Sequence, residues 1–110
     1  MPYREYQGVK AMVSAIDIGT FIVSTPGVCG GRPRIADTRI TVRNIVTWKM
    51  IGWTPEKIVS EYEHLSLAQV HAALAYYYAN REELDAAFDA EKVEEERIEQ
   101  AHLARQSELK

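Results

Sequence analysis

The chain has 110 residues, 46% apolar and 26% charged, with a formal net charge of -3; that suits one ordinary globular domain plus an extension and excludes fibrous and low-complexity classes. No apolar run reaches the roughly 18 residues a membrane span needs, and the first residues lack the apolar core of a secretory signal. The one cysteine, Cys29, cannot form an internal disulfide, so a reducing, cytoplasmic setting without membrane contact is expected.

The charge is unevenly spread. Residues 80–110 hold ten Asp/Glu and five Lys/Arg, which leaves the rest of the chain slightly positive. Arg32, Arg34, Arg39, Arg43 and Lys49 have only Asp37 as an acidic neighbour in their stretch. They form a local basic patch on an acidic chain.

In chain order, residues 1–20 carry apolar side chains without clear periodicity. Phe21-Ile22-Val23-Ser24 reads as a short strand, rich in aromatic and β-branched types, ended by Thr25-Pro26-Gly27. An apolar edge of this kind needs a partner. A second copy of the chain is expected to supply it, with Phe21-Ile22-Val23 and Ile35 at or near a homodimer interface. Gly30-Gly31 permits a tight reversal. Pro33 biases Arg32 toward extended geometry, and Asp37 is the turn former between Ile35 and Ile40.

The remainder reads helical. Val42, Ile45 and Val46 carry i, i+3, i+4 spacing over residues 42–51, and Gly52 is a natural residue just past a helix end. Thr54-Pro55 caps and starts a short second helix over residues 55–62. Ser66-Leu67-Ala68-Gln69 is a capping box that opens a third. On it Leu67, Val70, Leu74, Tyr77 and Tyr78 make an apolar stripe, extended by Leu84 and Phe88, with Gln69, Ala72, Tyr76 and Asn80 facing outward. The expected core is Ile45, Val46, Ile58, Val59, Tyr62, Leu65, Val70, Leu74 and Tyr77. From residue 90 the apolar pattern weakens, and residues 90–110 read as a charged helix or fraying tail outside the core.

A short second helix, a turn and a capped third helix are the parts of a helix-turn-helix, and equally of a plain three-helix bundle. The third helix has no Lys or Arg between Ser66 and Asn80. Any DNA contact therefore falls to the arginines of the arm, through phosphates or the minor groove, with Gln69 able to bond an adenine edge or simply to cap. The bland reading of the arginines is surface solubility plus an Asp37–Arg39 ion pair. Cys29, His64, His71 and His102 lack metal-site spacing, Gly30-Gly31 lacks the rest of a phosphate-binding loop, and no nucleophile or acid–base set appears. No metal, no cofactor and no enzymatic activity are expected.

The ordered run Gly30-Gly31-Arg32-Pro33-Arg34-Ile35, Thr38-Arg39-Ile40, Val42, then Gly52, Glu56, Ile58, Leu65-Ser66 and Ala72-Ala73-Leu74-Ala75-Tyr76 resembles the bacterial domain-of-unknown-function 433 family over about residues 16–80. The chain departs from the family pattern at Asp37, where glycine is usual. The resemblance implies a homeodomain-like helix-turn-helix behind a β arm, and kinship with antitoxins of VapB type, encoded beside PIN-like ribonuclease toxins.

The expected fold is mainly α. Residues 1–41 form an extension and β arm, 42–80 the helix-turn-helix core, and 81–110 a charged helical tail. The expected function is a DNA-binding antitoxin that represses its own operon and neutralises a PIN-like nuclease. Arg32, Arg34, Arg39, Arg43, Lys49 and Gln69 would face DNA, and Phe88, Arg97, Ile98, Arg105 and Leu109 the partner. Arg97 or Arg105 would enter the nuclease's carboxylate-rich site. The alternative is a homodimeric protein-interaction module that never touches DNA.

Overall fold

The computed structural model describes residues 15–109; the weakly patterned residues 1–14, and residue 110, lie outside it. Two short strands, β1 (Ile22–Val23) and β2 (Arg34–Ile35), precede four helices. These are α1 (Val42–Met50), α2 (Pro55–Glu61), α3 (Leu67–Ala79) and α4 (Arg81–Glu108). The protein is mainly α, with a short antiparallel β arm near its N-terminus.

The arm closes on its own chain. Phe21 belongs to a single 3-10 turn, Ile18–Phe21, and not to the strand, because Asp17 caps that turn through its carboxylate, which accepts the Gly19 N–H at 2.9 Å. β1 then pairs with β2, Ile22 opposite Ile35 and Val23 opposite Arg34. Asp37 takes φ +63°, the left-handed geometry that Asp tolerates better than most residues. That turn lets the Ile35 N–H reach the Ile40 carbonyl at 2.8 Å. No ion pair joins Asp37 to Arg39 among the described residues. Ile35, expected at a dimer interface, is fully buried in the protein's own core. The strand expected to be open is partnered within the chain, because the reversal between the strands, with Gly27, Cys29, Gly30 and Gly31 at positive φ, returns β2 alongside β1.

Each helix begins and ends on a local signal. Thr41 and Asn44 form a reciprocal capping box at the start of α1. At its end Gly52, at φ +100°, donates to the Lys49 carbonyl at 3.0 Å, and Trp53 donates to the Trp48 carbonyl at 3.0 Å. These are the two bonds of a Schellman motif. The apolar contact that accompanies the motif is made by Trp48 and Trp53 themselves, stacked with ring centroids 5.9 Å apart. Tyr62 stacks on Trp48 from α2's end, at 4.7 Å. Thr54 caps α2, and Ser66 with Gln69 completes the expected capping box on α3.

The core joins Ile35, Val42, Ile45, Val46, Ile58 and Leu65 to Val70, Ala73, Leu74, Tyr77 and Leu84. Full burial of such side chains contributes about 1.5–3 kcal/mol each. Val59 and Tyr62, expected inside, are half-buried at its edge. Leu67 and Tyr78 are exposed, at 43% and 51%, whereas Ala72 is buried. The single-stripe reading of α3 fails because α3 is covered from two sides. Alongside α1 and α2 it also packs against the Ile18–Phe21 turn and the arm.

α3 and α4 are separate helices. Asn80 leaves helical geometry at φ -126°, ψ 33°, and its side-chain amide donates back to the Tyr76 carbonyl at 2.9 Å. Tyr77 spans the break, donating its hydroxyl to Asp85 at 2.6 Å and stacking on Phe88 at 6.1 Å. The tail is therefore one helix from Arg81 to Glu108. Its first two turns join the core through Leu84 and Phe88, the two residues expected to extend the α3 stripe. At about 1.5 Å per residue, α4 is roughly 42 Å long.

Candidate functional site

The arm and the start of α1 enclose an open cleft of about 490 Å³. Arg32, Arg39, Arg43, Thr41, Asn44 and Glu95 stand on its walls. Chain reversals place these groups. Cys29, Gly30 and Gly31 take φ of +51°, +66° and +78° in succession, which turns the chain ahead of Arg32. Asp37 turns it again ahead of Arg39. A non-glycine residue at positive φ costs about 1–3 kcal/mol, and Cys29 recovers part of that by donating its thiol to the Arg39 carbonyl at 3.6 Å. The Val42 N–H donates to the Pro33 carbonyl at 2.9 Å, which holds the first turn of α1, and so Arg43, beside Arg32.

The cleft is closed from one side by α4. Glu95 accepts two bonds from the Arg43 guanidinium, 2.7 Å from Nη1 and 3.0 Å from Nη2. Glu91 sits between the arginines, accepting from Arg32 Nε at 2.9 Å and from Arg43 Nη1 at 3.1 Å. The hydrogen bond from Arg43 pulls the Glu95 carboxyl below its usual range, with burial opposing the shift. The hydrogen bond to Glu95 raises Arg43 further above its already high value. Both groups are charged at neutral pH. Three arginines against two carboxylates leave the cleft net positive.

Of the residues expected to face DNA, the fold gathers Arg32, Arg39 and Arg43. Arg39 is exposed and enters no ion pair among the described residues. Arg34 is used inside the arm, donating to the Thr38 carbonyl at 3.1 Å and to the Thr25 hydroxyl at 3.0 Å. Lys49 stands away from the cleft, 6.0 Å over the Tyr78 ring. Gln69 accepts the Ser66 N–H at 2.8 Å as the capping residue of α3.

Of the partner-facing residues, Phe88 is taken up by Tyr77. Ile98 and Leu109 are exposed at 54% and 82%. Arg97 is paired with Glu94 at 2.7 Å, and with Arg105 and Ile98 it borders a shallow concavity of about 300 Å³ on α4. Glu91 and Glu95 were missing from the sequence reading. The available signal was phase: Leu84, Phe88, Glu91 and Glu95 share one face of a helix, so two acids fall on the side that meets the body. Among the described residues no group of three or more His, Cys, Asp or Glu could hold a metal ion, and no helix is long and apolar enough to cross a membrane.

Fold and cleft define a small, mainly α protein in which a β arm and a helical core present an arginine-lined cleft that the last helix closes. The chain belongs to the family described as "Protein of unknown function (DUF433)", whose model matches residues 22–77. It is similar to a DUF433 member protein from Anabaena variabilis, solved at 2.00 Å. The two share 31% identity over 76% of this chain and 77% of that one, with a TM-score of 0.59. A search of curated proteins finds no match. The family match ends before α4, so Glu91 and Glu95 lie outside the matched segment.

Proposed function

We propose that the chain is a DNA-binding antitoxin that represses its own operon through the body and engages a PIN-like nuclease through α4. The observation that carries the DNA reading is the cleft itself. Arg32, Arg39 and Arg43, scattered over twelve positions of sequence, come together beside the start of α1 with a net positive charge. Such a group suits phosphate contacts that position a protein on a duplex. α3 carries no cation, so base reading by that helix is a minor part of the proposal. For the nuclease, the exposed end of α4 offers Ile98 and Leu109 as anchors. Arg105, which enters no ion pair among the described residues, is the readier of the two arginines to pair with acidic groups; Arg97 must first leave Glu94.

The test is binding to a duplex taken from immediately upstream of the chain's own reading frame. Arg32→Ala with Arg39→Ala is expected to weaken binding to all sequences and reduce the salt slope by about one to two units. No shift by the intact protein at low salt would falsify the repressor reading. One observation favours the rival, a protein-interaction module without DNA: Arg32 and Arg43 are already held by Glu91 and Glu95. Truncation after Ala90, assayed by co-purification with the neighbouring gene's product, tests the role of α4. Retained capture and inhibition would remove α4 from the neutralising interface.

A further inference from the structure

Glu91 and Glu95 treat the arginines as a phosphate would. Arg43 presents Nη1 and Nη2 side by side to both oxygens of Glu95, the two-point geometry a guanidinium offers equally to carboxylate and phosphate. Glu91 spreads its two oxygens over Arg32 and Arg43. Clustered acceptor oxygens carrying negative charge therefore sit where a bound phosphate would find its donors. The cleft beside them has room for one, with Arg39, Thr41 and Asn44 on its walls. The Glu95 side chain is 53% exposed, so it can rotate into water without displacing the helix. Leu84 and Phe88 hold α4 to the body ahead of it.

We infer that the cleft is a phosphate site whose resting occupant is the chain's own pair of carboxylates: an entering phosphate takes the Arg43 fork and Arg32 Nε, is joined by Arg39, and returns Glu91 and Glu95 to solvent. This rests on the reading of the cleft as a phosphate-contacting surface, and adds an internal competitor to it. A tethered competitor acts at a high effective concentration, so removing it tightens phosphate binding. The phosphate can come from a nucleic-acid backbone or from a free phosphate compound; the chemistry at the arginines is the same.

The experiment titrates the full chain with two probes, sodium pyrophosphate and a 20-base-pair duplex, at fixed ionic strength. Glu91→Gln with Glu95→Gln removes the carboxylates that touch the arginines. Glu96→Gln with Glu99→Gln removes the same charge from exposed positions of the same helix and controls for long-range electrostatics. Thermal melts of both variants verify that they fold. The first variant is expected to bind at least one probe about tenfold more tightly than the parent, and the control less than about threefold. Tightening for the duplex alone assigns the site to nucleic acid; tightening for pyrophosphate alone assigns it to free phosphates and removes the DNA reading while the site stands. Equal changes in both variants would overturn the competitor even if the duplex binds. Binding of neither probe by any variant would overturn both.

Discussion

The arm-and-three-helix body and the far half of α4 are built by different physics. In the body, Ile35, Ile45, Ile58 and Val70 are fully buried and come from four separate elements. In α4 every described residue from position 92 onward is exposed, and the helix there is held by its own backbone bonds and by local pairs such as Arg97 with Glu94. Packing makes the body cooperative, while propensity and charge make the far helix. Between them lie Leu84, the Tyr77–Asp85 bond and the Arg32–Glu91–Arg43–Glu95 cluster, which join an apolar core to a polar lever.

The comparison predicts where substitutions hurt. Ile45→Ala leaves a cavity in the fully packed body and is expected to cost about 2–5 kcal/mol in urea unfolding. Trp53→Ala removes the contact that closes the α1 Schellman motif and should cost about 1–3 kcal/mol, with a change in tryptophan fluorescence as Trp48 loses its neighbour. Tyr77→Phe keeps the stack on Phe88 and deletes the bond to Asp85, for about 1 kcal/mol. Leu103→Ala, far along α4, should fall within about 0.5 kcal/mol of the parent. A loss at Leu103 comparable to that at Ile45 would mean that the far helix is buried against something and that the two-region description fails.

The joint also has a pH signature. The Glu95 carboxyl is lowered in the folded protein by its bond from Arg43, against a smaller opposing effect of burial, with the Arg43 and Arg32 charges acting in the same direction as the bond. Its contribution is therefore complete above the ordinary glutamate value near 4.5 and is lost as pH falls through the lowered one. Carbon NMR of the Glu95 carboxyl should report a midpoint below 4.5, and Arg43→Ala should return it upward.

What was legible in the sequence was what is local. Thr54-Pro55, Ser66 with Gln69, and Gly52 set helix ends within four residues of themselves, and the structure uses all of them as expected. The burial of Ile35 and Ala72 was not legible, because it is decided by an arm that folds back over the helices. The Thr41–Asn44 box was missed because Asn replaces the more familiar Glu or Gln at its third helical position. The clasp on the cleft was the least accessible feature. Its bonds join residues 48 to 59 positions apart, and periodicity tells which face a glutamate occupies without telling what that face meets.

The central claim is that Glu91 and Glu95 fasten α4 to the arginine arm. Amide hydrogen exchange of the full chain with Arg43→Ala measures it most directly. The account predicts faster exchange by about tenfold in residues 91–100, with residues 42–50 and 67–79 unchanged. Unaltered exchange along α4 would contradict it, because the helix would then stand where it does without the arginine.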